Sequence, residues 1–216
     1  MPPKIKICGM REPENIRDAA ALRPDYMGFI YYRKSPRYVG EDFAPVWAPE
    51  LKGIRKTAVL VNEPLDSALE IINRLGFEAV QLHGSESPAY CREVKKSGVE
   101  LLKVFGVFAG FDFRQLEAFV PFADYFLFDA KTDAYGGSGK RFSWEQLRNY
   151  QSETPFFLSG GLDPDNLEEA MKAMAGLPLY ALDLNSRIES APGVKNIEKA
   201  AEAIRLIKQY ENEDRK

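Results

Sequence analysis

Eight short apolar runs, most of them followed by a longer stretch with helical patterning, recur along this chain, and no other feature constrains its fold as tightly. The runs are Ile5–Cys8, Tyr26–Tyr31, Thr57–Val61, Ala79–Leu82, Leu101–Val107, Tyr125–Phe128, Pro155–Leu158 and Leu179–Leu184. Several are apolar almost throughout, as parallel strands are when helices cover both faces. Between the runs, apolar residues fall at helical spacing. Leu65, Ala68, Leu69, Ile72 and Leu75 make one stripe. Ile197, Ala200, Ala201, Ile204 and Ile207 make another, broad enough to dock on a sheet. Asp163 followed by Pro164 reads as an N-cap with proline at the first helical position, leading into Leu167, Ala170, Met171 and Met174.

Strands alternating with about eight helices imply a parallel sheet. An open doubly wound sheet would usually carry a GxGxxG turn after its first strand, and Cys8-Gly9-Met10-Arg11 does not match it. Eight units within 216 residues favour closure into an α/β TIM (β/α)8 barrel with short loops. No linker or composition break divides the chain. A single barrel domain over residues 1–210 is expected, with residues 211–216 a frayed tail.

Charge and composition narrow the partners. A net charge of −3 gives no electrostatic footprint for nucleic acid. No apolar run is long enough to span a membrane, and Met1–Lys6 lacks the apolar core of a signal peptide. Cys8 and Cys91, far apart in sequence, read as reduced thiols. The expectation is a cytoplasmic protein, monomer or homodimer, whose partner is a small molecule.

Barrel enzymes take their reactive groups from the C-terminal ends of strands and the loops that follow. Cys8 closes the first strand: it is either an inert buried hydrophobe or, facing the mouth, a general base in thiolate form. Asp129 follows an uncharged strand, where a carboxylate is costly unless it faces a polar cavity. Partial burial there would let it hold a proton near neutral pH and act as a general acid. Ser159-Gly160-Gly161 lets backbone approach a ligand and opens directly into the helix capped by Asp163, which suits a phosphate; otherwise the two glycines simply make an ordinary βα turn. Arg37, stiffened by Pro36, can grip a carboxylate with two N–H groups, whereas Arg33 and Lys34 read equally well as a solvated face. His83, the sole histidine, is either a satisfied buried imidazole or part of the site. The glycine-rich loop Tyr135–Gly139 either closes over a ligand or simply turns the chain.

Lys6-Ile7-Cys8-Gly9-Met10, Lys34-Ser35-Pro36-Arg37-Tyr38, Val80-Gln81-Leu82-His83-Gly84, Asp129 with Tyr135-Gly136-Gly137-Ser138-Gly139, and Leu158-Ser159-Gly160-Gly161-Leu162 together resemble the phosphoribosylanthranilate isomerase family. Single motifs of this kind are weak; the ordered set, spanning nearly the whole chain, is specific. The resemblance implies an Amadori rearrangement in tryptophan biosynthesis that needs no metal or redox cofactor. It implies Cys8 as general base, Asp129 as general acid, and Arg37 as the holder of the anthranilate carboxylate. His83 joins the substrate-binding set, while Gly160, Gly161, Asp183, Asn185 and Ser186 bind substrate at and beside its phosphate.

One position departs from the family pattern. After the last strand the family commonly reads Asp-x-Ser-Ser-Gly-x-Glu, whereas this chain has Asp183-Leu184-Asn185-Ser186-Arg187-Ile188-Glu189. Arg187 either adds a phosphate contact or marks a different loop path. Two related readings fit less well: the histidine-pathway isomerase uses aspartate where Cys8 stands, and pentose-phosphate epimerases need more histidines for a metal. A phosphate-binding barrel without catalysis is the non-enzymatic alternative.

Overall fold

A computed structural model describes residues 2–41, 43, 51–130 and 144–210. Eight parallel strands close into a barrel: β1 (Lys4–Cys8), β2 (Tyr26–Ile30), β3 (Arg55–Leu60), β4 (Ala79–Leu82), β5 (Glu100–Val107), β6 (Tyr125–Ala130), β7 (Phe156–Leu158) and β8 (Leu179–Leu184). The seam joins β1 to β8 with Lys4 opposite Ala181 and Lys6 opposite Asp183. The expected (β/α)8 barrel is what the chain forms.

Helices lie outside this ring: α1 (Pro13–Ala21), α2 (Leu65–Leu75), α3 (Pro88–Lys95), α4 (Leu167–Ala173) and α5 (Ile197–Gln209). About eight were expected. Among the described residues, the connections after β5 and β6 carry only short 3-10 turns, Phe113–Leu116 and Trp144–Asn149. Aromatic rings pack along the connection after β5, where Phe105 lies edge-on against Phe111, Phe119 and Phe126. A second small sheet, β9 (Glu189–Ala191) with β10 (Val194–Lys195), follows β8 as an antiparallel pair.

The stripes pack as their spacing implies, with two adjustments. In α5 the buried face is Ala200, Ala203, Ile204 and Ile207, so Ala203 rather than Ala201 completes it. Residues 163–166 form a turn, and α4 opens later, with Asn166 in the capping position instead of Asp163. Asn166 is why. Its buried amide donates to the Gly161 carbonyl at 2.9 Å and accepts from Asp163 N at 3.2 Å, holding a turn that a helix would break.

Strand alternation sorts the core into two parts. Ile5, Ile7, Met27, Phe29, Phe126, Phe128, Phe156 and Leu158 point outward into the layer between barrel and helices. Each such side chain contributes about 1.5–3 kcal/mol on burial. Tyr26, Ala79, Leu102, Leu127, Phe157 and Ala181 point inward and fill the lower barrel. Cys8, Ile30 and Val59 form the upper inner layer. The barrel is a plugged core, and chemistry is confined to its upper rim.

Candidate active site

The inward alternation that fills the barrel also delivers the polar groups. Ala79 is inward, so Gln81 and His83 continue its face; Leu127 leads to Asp129, Ala181 to Asp183 and Asn185, and Phe157 to Ser159. Lys6 and Cys8 share the inward face of β1. These side chains meet in a cleft enclosing about 620 Å³ of space, solvent at its mouth included. Cys8, His83, Asp129, Gly160, Gly161, Asp183, Asn185 and Ser186 all line it, together with Gln81 and Arg187.

Cys8 is buried at the end of β1, with its thiol against β2. A Cβ at Gly28 would lie 2.7 Å from Cys8 Sγ, so only glycine leaves the sulfur its place. Burial pushes the thiol's pKa up; Lys6 pulls it down, Asp183 raises it, and Lys195 pulls it down. Cys91, by contrast, is fully buried in the core.

Across the cleft, His83 Nε2 lies 3.7 Å from Asp129 Oδ2. Gln81 Nε2 stands 3.0 Å from His83 Nδ1. An amide N–H pointing at Nδ1 leaves the ring proton on Nε2, the nitrogen that faces the carboxylate. Burial, with Lys6 and Lys103 nearby, pushes the imidazole down to about 3, so His83 is neutral at physiological pH. A neutral N–H can support a carboxylate without adding charge to the cleft.

Gly160 and Gly161 sit at φ 93° and 72°, in the left-handed region that glycine adopts at no steric cost. Across from them Asn185 leads into a 3-10 turn, Ser186–Ile188. Arg187 lies in that turn, exposed and without a positive φ, so its backbone does not demand the glycine usual at this place.

Arg37 already has a carboxylate partner within the protein. It is buried outside the lining of the cleft, with its guanidinium forked onto Glu189: Nε lies 2.9 and 3.0 Å from the two carboxylate oxygens, and Nη2 lies 2.7 Å from Oε2. Gly9, at φ 77°, makes room for this, since a Cβ there would meet Arg37 Cδ at 2.8 Å and Asn185 Oδ1 at 2.7 Å. The loop Tyr135–Gly139 lies outside the described residues.

Sequence reading missed how the buried cations pair. Lys6 Nζ pairs with Asp183 Oδ1 at 2.8 Å. Lys195 Nζ contacts Glu189 Oε1 at 2.7 Å and Asn185 Oδ1 at 2.8 Å. Lys103 joins Glu86 at 2.8 Å and also donates to the Gly84 carbonyl at 2.7 Å, tying β5 to the loop that carries His83. Lys6 and Lys103 had a signal, as charges inside otherwise apolar strands. Lys195 and Glu189 had none beyond the final Glu of the family motif.

Known proteins resemble this chain over nearly its whole length. A family model described as N-(5'phosphoribosyl)anthranilate (PRA) isomerase matches residues 5–205. A curated relative from Parabacteroides distasonis, named N-(5'-phosphoribosyl)anthranilate isomerase, is 41% identical over 205 residues, covering 94% of this chain and 92% of the relative. The crystal structure of phosphoribosyl anthranilate isomerase from Thermotoga maritima matches with a TM-score of 0.80 at 29% identity, covering 96% of this chain and 100% of that one. Another such isomerase, solved in complex with reduced 1-(o-carboxyphenylamino)-1-deoxyribulose 5-phosphate, gives a TM-score of 0.76 at 25% identity, covering 96% and 100%.

Proposed function

Because the chain belongs to the N-(5'-phosphoribosyl)anthranilate isomerase family, we propose that Cys8 and Asp129 are the base and acid of its isomerisation. The enzyme converts N-(5-phosphoribosyl)anthranilate to 1-(2-carboxyphenylamino)-1-deoxy-D-ribulose 5-phosphate, an Amadori rearrangement in tryptophan biosynthesis. The observation that carries the assignment is their placement: a thiol and a carboxylate project from β1 and β6 into one cleft.

Asp129 gives its proton to the ribose ring oxygen, the C1–O bond breaks, and the substrate opens to an iminium. That cation acidifies the neighbouring C2 proton. Cys8 thiolate removes it, and the electron pair moves onto nitrogen to give an enolamine. Reprotonation at C1 and loss of the enol proton yield the ketose. Acid and base work is thereby divided between two groups in different environments.

For binding, the reading gives Gly160, Gly161, Ser186 and Asn185 the phosphate, with Arg187 adding a charge at the same rim. Arg37, its guanidinium fixed by Glu189, is given the anthranilate carboxylate. His83 and Asp183 act beside the sugar. One barrel domain over residues 1–210 is the catalytic unit. No helix among the described residues is long and apolar enough to cross a membrane; the proposed setting is cytoplasmic. Among the same residues no group of three or more His, Cys, Asp or Glu could hold a metal ion.

The test follows anthranilate fluorescence during turnover by wild type, Cys8→Ala and Asp129→Ala. Each variant is expected to lose about 10²–10⁴-fold in kcat while remaining folded. A folded variant that keeps wild-type turnover would remove that residue from the mechanism.

A further inference from the structure

We propose that Lys195, together with Lys6, is a positioning residue for Cys8: the two buried ammonium groups form a cationic cradle in which the thiolate is held. The proposal deepens the assignment of Cys8 as base and rests on it.

The cradle follows from register. Lys6 precedes Cys8 by two residues on the inward face of β1 and is fully buried below it. At the β1–β8 seam Lys6 stands opposite Asp183 and Ile7 opposite Leu184, so the next step of the ladder brings Cys8 beside Asn185. Asn185 is the residue that binds Lys195: its side-chain oxygen lies 2.8 Å and its carbonyl 3.4 Å from Lys195 Nζ. The same Asn185 oxygen abuts the Gly9 backbone, one residue from Cys8. One ammonium therefore lies beneath the sulfur and the other on its β8 flank. Burial acts most strongly and leaves the thiol's pKa above its ordinary value; both lysines work against it, toward the thiolate, while Asp183 works with it.

Beside Cys8 the cations outnumber the carboxylates they pair with. Lys6 on β1, Lys195 on β10 and Arg37 in the loop after β2 are cations. Asp183 on β8 and Glu189 on β9 are the carboxylates that pair with them. On the remaining sides, Gly28 and Ile30 of β2 carry no titratable group. Tyr32 packs against the same inner layer, and His83, Asp129 and Arg187 lie around the cleft. Glu189 is shared between two cations, so three cationic side chains share two carboxylates; burial holds the Lys195 pKa below its ordinary value, and Asp129 adds a carboxylate across the cleft. A buried positive charge shared this way is costly, and a thiolate formed at Cys8 would be stabilised beside it.

Lys195 is the better residue to test. Without it Glu189 keeps Arg37, whereas loss of Lys6 strands Asp183. Its backbone bonds to Asn15 at 2.7 and 2.9 Å do not depend on the side chain. In a Cys91→Ser background, the rate of Cys8 alkylation by iodoacetamide would be followed against pH in the free enzyme, alongside thiolate absorbance. Lys195→Met is expected to move the profile to higher pH and slow alkylation at pH 8 about tenfold or more, since a nearby opposite charge shifts a pKa by about 1–3. Lys195→Arg is expected to restore most of the rate.

An unchanged profile in folded Lys195→Met overturns the proposal. If that variant only raises KM, the charge serves the anionic substrate instead, which also overturns it. Alkylation needs no turnover, so a failed isomerase assignment would show separately, as an intact alkylation shift with no effect of Cys8→Ala on catalysis.

Discussion

Arg37 and Glu189 are joined side by side, their side chains 9% and 5% exposed, through a bidentate contact with a shortest distance of 2.7 Å. The pair links the loop after β2 to the hairpin after β8. Burial alone would raise the Glu189 carboxyl, but Arg37 and Lys195 outweigh it and hold its pKa below the usual range. Glu189→Gln is predicted to loosen Arg37 and raise KM about tenfold, with a smaller effect on kcat. Losing one partner of a buried charged hydrogen bond costs about 2–5 kcal/mol in total, shared between binding and stability. Steady-state kinetics with urea unfolding checks this, and equal loss of kcat at unchanged KM would contradict it.

Lys6 and Asp183 form the deepest ion pair of the inner barrel, with side chains 0% and 4% exposed. Burial works against the Lys6 charge, yet Asp183 beside it leaves the lysine's pKa above its ordinary value. Asp183→Leu would strand that charge and is expected to cost about 3–5 kcal/mol. Lys6→Met with Asp183→Leu removes both charges and is expected to recover most of the loss. Denaturant unfolding of the single and double variants decides it, and purely additive effects would dismiss the coupling.

Gly28 has one steric task, leaving room for the Cys8 sulfur. Gly28→Ala would put a methyl 2.7 Å from Sγ, which forces the thiol to move. The expected cost is about 1–3 kcal/mol of stability, with kcat falling more than binding of a product analogue. Wild-type kcat in the alanine variant would show that the thiol position has slack.

His83 should make the protein sensitive to acid. Its folded pKa of about 3 lies below the ordinary histidine value, so the unfolded chain binds a proton that the native state refuses. Stability is therefore lost as pH falls from about 6.5 toward the folded value, by up to about 1.4 kcal/mol per pH unit. His83→Gln removes this component, and its unfolding free energy should fall less steeply between pH 6 and pH 4 than that of wild type. Parallel slopes for the two proteins would assign the acid sensitivity elsewhere.

Barrel architecture could be read from local pattern because it depends on local pattern. Eight apolar runs set the strands, and alternation decided that Cys8, His83, Asp129 and Asp183 would share one face with the barrel interior. The least legible local feature was the start of α4. Proline after aspartate is a sound helix-opening signal, but the side chain of Asn166 bonded back to Gly161 and delayed the helix.

What the sequence determined by itself was the set of reactive residue types and the strand ends that carry them, since a strand's period and a barrel's open rim follow from local covalent geometry. Only tertiary structure decided which charges meet. Lys6 finds Asp183 across 177 residues, and Arg37 finds Glu189 across 152. Those partnerships depend on the stagger at which β8 closes onto β1 and on the return of the β9–β10 hairpin. A buried charge takes the counter-charge that closure brings within reach, and no spacing along the chain encodes that choice.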